Sequence, residues 1–176
     1  MRPKSVLANY LMGKLLCKMN RYKEAITYLK VANADAPNCF QISYALSESY
    51  LKSQDYSAAR MSAELLLDRY PQNLEVLKLC AETSFLQQDY TSCEEYVARV
   101  LQQEPENMQY ILFRVKILLE KKEYIKAASL LDVYSRTDSS SRDYLLLRAK
   151  LQHYWNRNNT ASLATIEEAI SRYPDD

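Results

Sequence analysis

The sequence predicts an all-α solenoid of about five helix-turn-helix repeats, on three observations. Tyr22, Tyr56, Tyr90 and Tyr124 stand 34 residues apart, and Pro37, Pro71 and Pro105 keep the same interval. A fixed period of that length marks stacked supersecondary units, none of which can bury its apolar face alone. A single glycine in 176 residues argues against tight hairpins and Gly-rich phosphate loops, while plentiful Ala, Leu, Glu, Lys, Gln and Ser suit helices. Between the tyrosines and prolines, apolar residues recur at helical spacings of three and four.

With the first repeat opening at Val6, the repeats occupy 6–39, 40–73, 74–107, 108–141 and 142–176, and the whole of 1–176 reads as one repeat domain. Each is expected to hold a first helix of about a dozen residues, a polar turn and a second helix of similar length. The turns are Met19-Asn20-Arg21, Ser53-Gln54-Asp55, Gln87-Gln88-Asp89 and Lys121-Lys122-Glu123, each followed by its tyrosine. Proline then stops the second helix, and Asn38, Asn73 and Asn107 stand close behind it as candidate N-caps for the next one. The later repeats depart from the pattern. Ser139 replaces the fourth proline, and the fifth repeat carries one extra residue near Asn158-Asn159-Thr160, with Asn159 in the tyrosine's place. Its closing Arg172-Tyr173-Pro174 echoes Arg69-Tyr70-Pro71.

This phased combination is similar to the tetratricopeptide repeat, over essentially the whole chain. The family pattern asks for small residues at positions 8 and 20, an aromatic at 17 and proline at 32. Position 8 here is Gly13, Ser47, Ala81, Val115 and Ala149, and position 20 is Ala25, Ala59, Cys93, Ala127 and Ser162. Two antiparallel helices crossing at a shallow angle need a small side chain on each at the contact. Packing bulk comes from position 24 (Leu29, Ala63, Val97, Leu131, Ile166) and position 27 (Ala32, Leu66, Val100, Tyr134, Ala169). Arg114 and Arg148 fill position 7, a large apolar site in the family; each is expected to lay its stem on the fold and keep its head in water or on a carboxylate. The resemblance implies a right-handed superhelix.

Composition excludes several function classes. Lys plus Arg at 23 against Asp plus Glu at 22 leaves a net charge of +1, which offers no field to recruit nucleic acid. The fifteen tyrosines could serve as stacking platforms for single strands, but four already sit at position 17 as packing groups, and no basic excess accompanies them. No run approaches the length of a membrane span, and the N-terminus has no charged-then-apolar export signal, so a cytoplasmic location without membrane insertion is expected. Cys17, Cys39, Cys80 and Cys93 have neither metal-type spacing nor the density of a disulfide scaffold, and are expected to be reduced. Cys80 and Cys93 fall on facing helices, where free thiols are favoured over a bridge. His153 is the one histidine, and the adjacent pairs Glu94-Glu95 and Glu167-Glu168 do not aim at a common atom. No catalytic constellation, metal set or cofactor motif is present, so no enzyme activity is expected.

What remains is a binding face. The family resemblance places positions 2, 5, 9, 12 and 13 of the first helices on a concave groove. Carried onto this chain, the candidate partner-binding residues are Tyr10, Lys14, Lys18, Tyr44, Glu48, Leu51, Lys52, Lys78, Glu82, Phe85, Leu112 and Lys116. Apolar anchors flanked by charge suit a peptide or helix. Lys14, Lys18, Lys52 and Lys78 would draw an acidic segment. The carboxylate clamp of chaperone-binding members is absent, since its positions hold Tyr10, Lys14, Ala45, Glu75 and Leu79.

The function expected is a noncatalytic protein-protein interaction scaffold that holds a peptide or helical segment in this groove. The alternatives are an oligomerisation module and the targeting arm of a larger protein. Neither end shows a polar capping helix, which leaves Leu163, Ile166 and Ile170 open to a second copy or to further repeats of a longer chain.

Overall fold

Capping residues, turn residues and a period of small side chains divide the chain into paired helices. The computed structural model describes residues 5–174, and every regular element in it is an α-helix. In order these are α1 (Val6–Lys18), α2 (Tyr22–Asp35), α3 (Phe40–Lys52), α4 (Tyr56–Arg69), α5 (Leu74–Leu86), α6 (Tyr90–Gln103), α7 (Met108–Glu120), α8 (Tyr124–Ser135), α9 (Arg142–Tyr154) and α10 (Asn159–Arg172). Two compact bodies result, one up to Tyr96 and one from Val97, with α6 running across the division.

Local chemistry explains the helix boundaries. Asn73 and Asn107 accept hydrogen bonds from the Val76 and Tyr110 amides at 3.1 and 3.2 Å, capping α5 and α7 as expected. Asn38 does not cap α3. The cap position falls one residue later on Cys39, which makes no side-chain cap bond. Asp55, Asp89 and Asn158 accept from the Ala58, Ser92 and Ala161 amides at the start of the second helices. Where Ser139 replaces proline, α8 ends at Ser135, and the Asp138 carboxylate gathers the Ser140 and Ser141 amides at 2.9 and 3.1 Å to shape the turn instead.

The turn inside each repeat contains one residue in the left-handed region. Asn20, Gln54, Gln88 and Lys122 have φ of 57°, 67°, 62° and 61°, and Arg157 has 50°. The first four keep the 34-residue interval, and Arg157 falls one residue late because the extra residue lies in the 155–158 turn. That conformation lets a short turn reverse the chain, and only asparagine among these side chains tolerates it well.

Each pair of helices closes on small residues. Positions 8 and 20 are buried in all five repeats. In two repeats the contact is also polar: the Cys93 thiol donates to the Ala81 carbonyl at 3.2 Å, and the Ser162 hydroxyl donates to the Ala149 carbonyl at 3.0 Å. At Gly13 even a methyl group is too large, since an added Cβ would lie 2.5 Å from Leu29 Cγ. Successive repeats then stack second helix on first: α2 packs on α3 and α4 on α5 in the N-terminal body, and α8 on α9 in the C-terminal one. Leu29 joins Ala45 and Leu46 in one apolar cluster, Ala63 and Leu66 join Val76, Leu79 and Cys80 in a second, and Leu131 joins Tyr144, Leu147 and Leu151 in a third. Arg69 ties one joint by donating to the Pro37 carbonyl at 2.6 Å, and Tyr173 ties another through Ser140 at 3.1 Å.

Two stability changes follow. Gly13→Ala gains about 1 kcal/mol of helix propensity but overpacks Leu29 by about 1–3 kcal/mol; thermal unfolding of the variant is expected at a lower temperature, and the same change in a Leu29→Ala background is expected to stabilise. Lys122→Gly relieves a left-handed lysine and is expected to raise stability by about 1 kcal/mol, whereas Asn20→Gly is expected to be near neutral in the same urea titration.

Candidate functional site

The expected binding positions do not share one environment. Positions 2, 9 and 13 of the first helices are exposed throughout, including Lys14, Lys18, Glu48, Lys52, Glu82 and Lys116. Position 5 is half-buried at Tyr10, Tyr44 and Lys78. At position 12, Leu51 and Leu119 are buried, Cys17 and Phe85 are half-buried and His153 is exposed. Leu51, 5% exposed, packs with Ala59, Ala63 and Leu66, so it belongs to the interior and not to a groove surface. Leu112 at position 5 is likewise interior at 6% exposure, although its edge reaches a cavity described below.

In the N-terminal body, α3 and α5 bring charge around one tyrosine. Tyr44 is half-buried and stacks on Phe40 at 5.6 Å between ring centroids. Burial pushes its hydroxyl up to about 12, with Glu48, Glu75 and Glu82 adding to the rise. Glu82 keeps an exposed surface, yet protein surrounds its carboxyl closely enough that desolvation holds it above the ordinary carboxylate range; Lys52 opposes that shift and Glu48 reinforces it. Lys78 lies 3.7 Å from Glu75. Lysines 52 and 78 thus already serve carboxylates of this face. Phe85, at the end of α5, packs edge-on against Tyr90 at 5.6 Å, so both ring residues of this face also hold the fold.

In the C-terminal body, α7 and α9 line a cavity of about 290 Å³ with Gln109, Leu112, Phe113, Lys116, Asp143, Leu146, Leu147 and Lys150. Six of these are positions 2, 5 and 9 of two successive repeats, brought together because the same side of each first helix faces the same way. Phe113 and Leu147, at position 6, were outside the expected set; they belong to the joint between repeats and show only at its edge. A larger hollow of about 620 Å³ runs between α9 and α10 past His153, Tyr154, Leu163 and Ile166. His153 is exposed there, with Nδ1 2.8 Å from the Asn159 Oδ1.

Other chemistry is sparse. Cys80 and Cys93 are buried free thiols, and burial, followed by Asp89 and Glu94, pushes Cys93 up to about 12. Among the described residues no group of three or more His, Cys, Asp or Glu is placed to hold a metal ion, and no helix is long and apolar enough to cross a membrane. Arg148 is exposed and Arg114 is half-buried.

A family model of the tetratricopeptide repeat matches residues 10–73. No curated protein matches the sequence. Among solved structures, MamA from Desulfovibrio magneticus (residues 41 to the end) is similar with a TM-score of 0.84 at 11% identity, covering 100% of both chains. A thermophilic TPR protein of Thermus thermophilus is similar at 0.71 and 17% identity, covering 98% of this chain and 93% of the other. YrrB, described as a TPR protein with an unusual peptide-binding site, gives 0.73 at 15% identity over 97% of this chain and 88% of its own. At these identities the likeness is one of fold.

The desolvated Glu82 makes a pH dependence. A carboxyl raised above its unfolded value of 4.5 contributes stability below that value and loses it as pH rises through the folded one. Glu82→Gln is expected to remove this segment from a stability-pH profile and to leave stability at neutral pH equal or slightly higher; an unchanged profile would show the carboxyl to be fully hydrated.

Proposed function

We propose that this chain, which matches a tetratricopeptide repeat model over residues 10–73 and shares the fold of solved tetratricopeptide repeat structures, is a noncatalytic protein-protein interaction scaffold that holds a peptide or helical segment of another protein along the exposed positions 2, 9 and 13 of the first helices within one of its bodies. The observation that supports this most directly is the cavity between α7 and α9, where equivalent residues of successive repeats form one lining. Repeated positions on parallel helices give a ligand a regular series of contacts, which is what an extended or helical segment presents. The peptide-binding site named for YrrB is in keeping with this reading.

Charge refines the ligand. Helix α1 carries Lys14 and Lys18 and no acidic residue, and Lys116 and Lys150 stand at position 9 of α7 and α9. Acidic side chains of a partner suit these points. Around Tyr44 the carboxylates of Glu48, Glu75 and Glu82 favour a basic or neutral side chain instead. A segment held by the N-terminal body therefore meets lysines on α1 and carboxylates around Tyr44, and is not uniformly acidic.

Short random peptides selected on the immobilised chain provide the ligand, and amide shift mapping locates it. Perturbations are expected on the first helices at and beside positions 2, 9 and 13; shifts confined to second helices or turns would sink the proposal. The Lys14→Glu/Lys18→Glu variant changes only exposed groups, and is expected to weaken capture of acidic peptides by about tenfold or more at low salt, with a shallower salt dependence.

A further inference from the structure

We infer that the cavity between α7 and α9 takes one face of an amphipathic helix from a partner protein, laid antiparallel to both, with an acidic, an aliphatic and a basic side chain spaced over two turns. This rests on the reading of the chain as a peptide-holding scaffold and names the segment that its C-terminal body holds.

The lining is layered, because α7 and α9 contribute the same positions to it. Position 2 gives Gln109 and Asp143, position 5 gives Leu112 and Leu146, and position 9 gives Lys116 and Lys150. In the middle layer Leu112 is buried while Leu146 is 37% exposed, so apolar surface faces the opening. Asp143 and Lys150 are both exposed. Two turns of α9 separate them, about 10 Å along the helix axis, which is too far for the two to pair. Among the described residues neither has an ion-pair partner. The cavity therefore has a negative end, an apolar middle and a positive end.

That order sets the chemistry of the occupant. A uniformly acidic segment suits Lys150 and is repelled by Asp143, whereas a segment with unlike charges at its two ends gains at both. Spacing sets its conformation. On one face of a helix, residues i, i+3 or i+4 and i+7 stand about 5 and 10 Å apart along the axis, in step with positions 2, 5 and 9 of α7 and α9. Same-face residues of an extended segment recur at about 7 and 13 Å, so one charged end falls out of register. The cavity, about 290 Å³, has room for an aliphatic side chain and not for a helical backbone, which stays above the opening. Laid antiparallel, the partner helix carries its acid toward its own N-terminus and its base toward its C-terminus, the order that also stabilises that helix. Read from its N-terminus, the segment has Asp or Glu at i, Leu or Ile at i+3 or i+4, and Lys or Arg at i+7.

Fluorescence anisotropy of the full chain with an alanine-based helical peptide, blocked at both termini and carrying Glu, Leu and Arg at i, i+4 and i+7, tests this. Replacing the peptide's leucine by alanine is expected to weaken binding about tenfold or more. Placing glutamate at both charged points, or arginine at both, is expected to weaken it about fivefold at low salt. A proline at i+5, which breaks the helix and keeps the three side chains, is expected to weaken it about tenfold or more. Lys116→Glu/Lys150→Glu changes only exposed groups of the protein, and is expected to turn the preference toward the peptide with arginine at both points. A matched peptide that binds no tighter than the like-charged ones, a proline peptide that binds equally well, or a charge-reversed protein that keeps the wild-type preference overturns the inference. If other peptides are still captured along the first helices in those cases, the scaffold reading stands without it. Capture of no peptide along the first helices overturns both.

Discussion

The structure depends on the close approach of two antiparallel helices at two small residues. Positions 8 and 20 are buried in every repeat, and the helix axes come near enough for Cys93 and Ser162 to reach the backbone carbonyls of Ala81 and Ala149. Gly13 marks the limit of this approach, because no Cβ fits beside Leu29. Closeness at this point lets the larger residues at positions 24 and 27 project outward to the next repeat, so the pairing of two helices prepares the stacking of many. No single hairpin of about thirty residues could bury enough apolar surface to be stable alone.

That division of labour also decides where binding chemistry can reside. A first helix is covered on one side by its own second helix and on another by the preceding repeat, which leaves a narrow exposed strip. Side chains on this strip meet their equivalents from neighbouring repeats, so functional groups come in series and not as a convergent catalytic cluster. Tyr44 and the three carboxylates near it show how far convergence goes here: enough to raise the tyrosine and Glu82 above their ordinary ranges, with Lys52 and Lys78 limiting the excess of charge.

Much of this was legible in the residues. The interval of the tyrosines and prolines determined the repeats, the paucity of glycine determined helices, and the small residues at positions 8 and 20 determined how the helices pair, because each of these is a local or periodic property that a sequence carries openly. Asn73 and Asn107 were readable as caps for the same reason. Tertiary structure decided the rest. Cys39 and not Asn38 occupies the cap of α3, since the cap is defined by where the chain enters the helix. Leu51 and Leu112 turn inward although their helical positions border exposed ones, since a helix face has no sharp edge and the space across it settles which way a leucine packs. The left-handed Gln54 and Lys122 carry no glycine signal, being held by the turn that the paired helices impose. The desolvation of Glu82 depends on which neighbours surround a side chain, and neighbours exist only once the chain has folded.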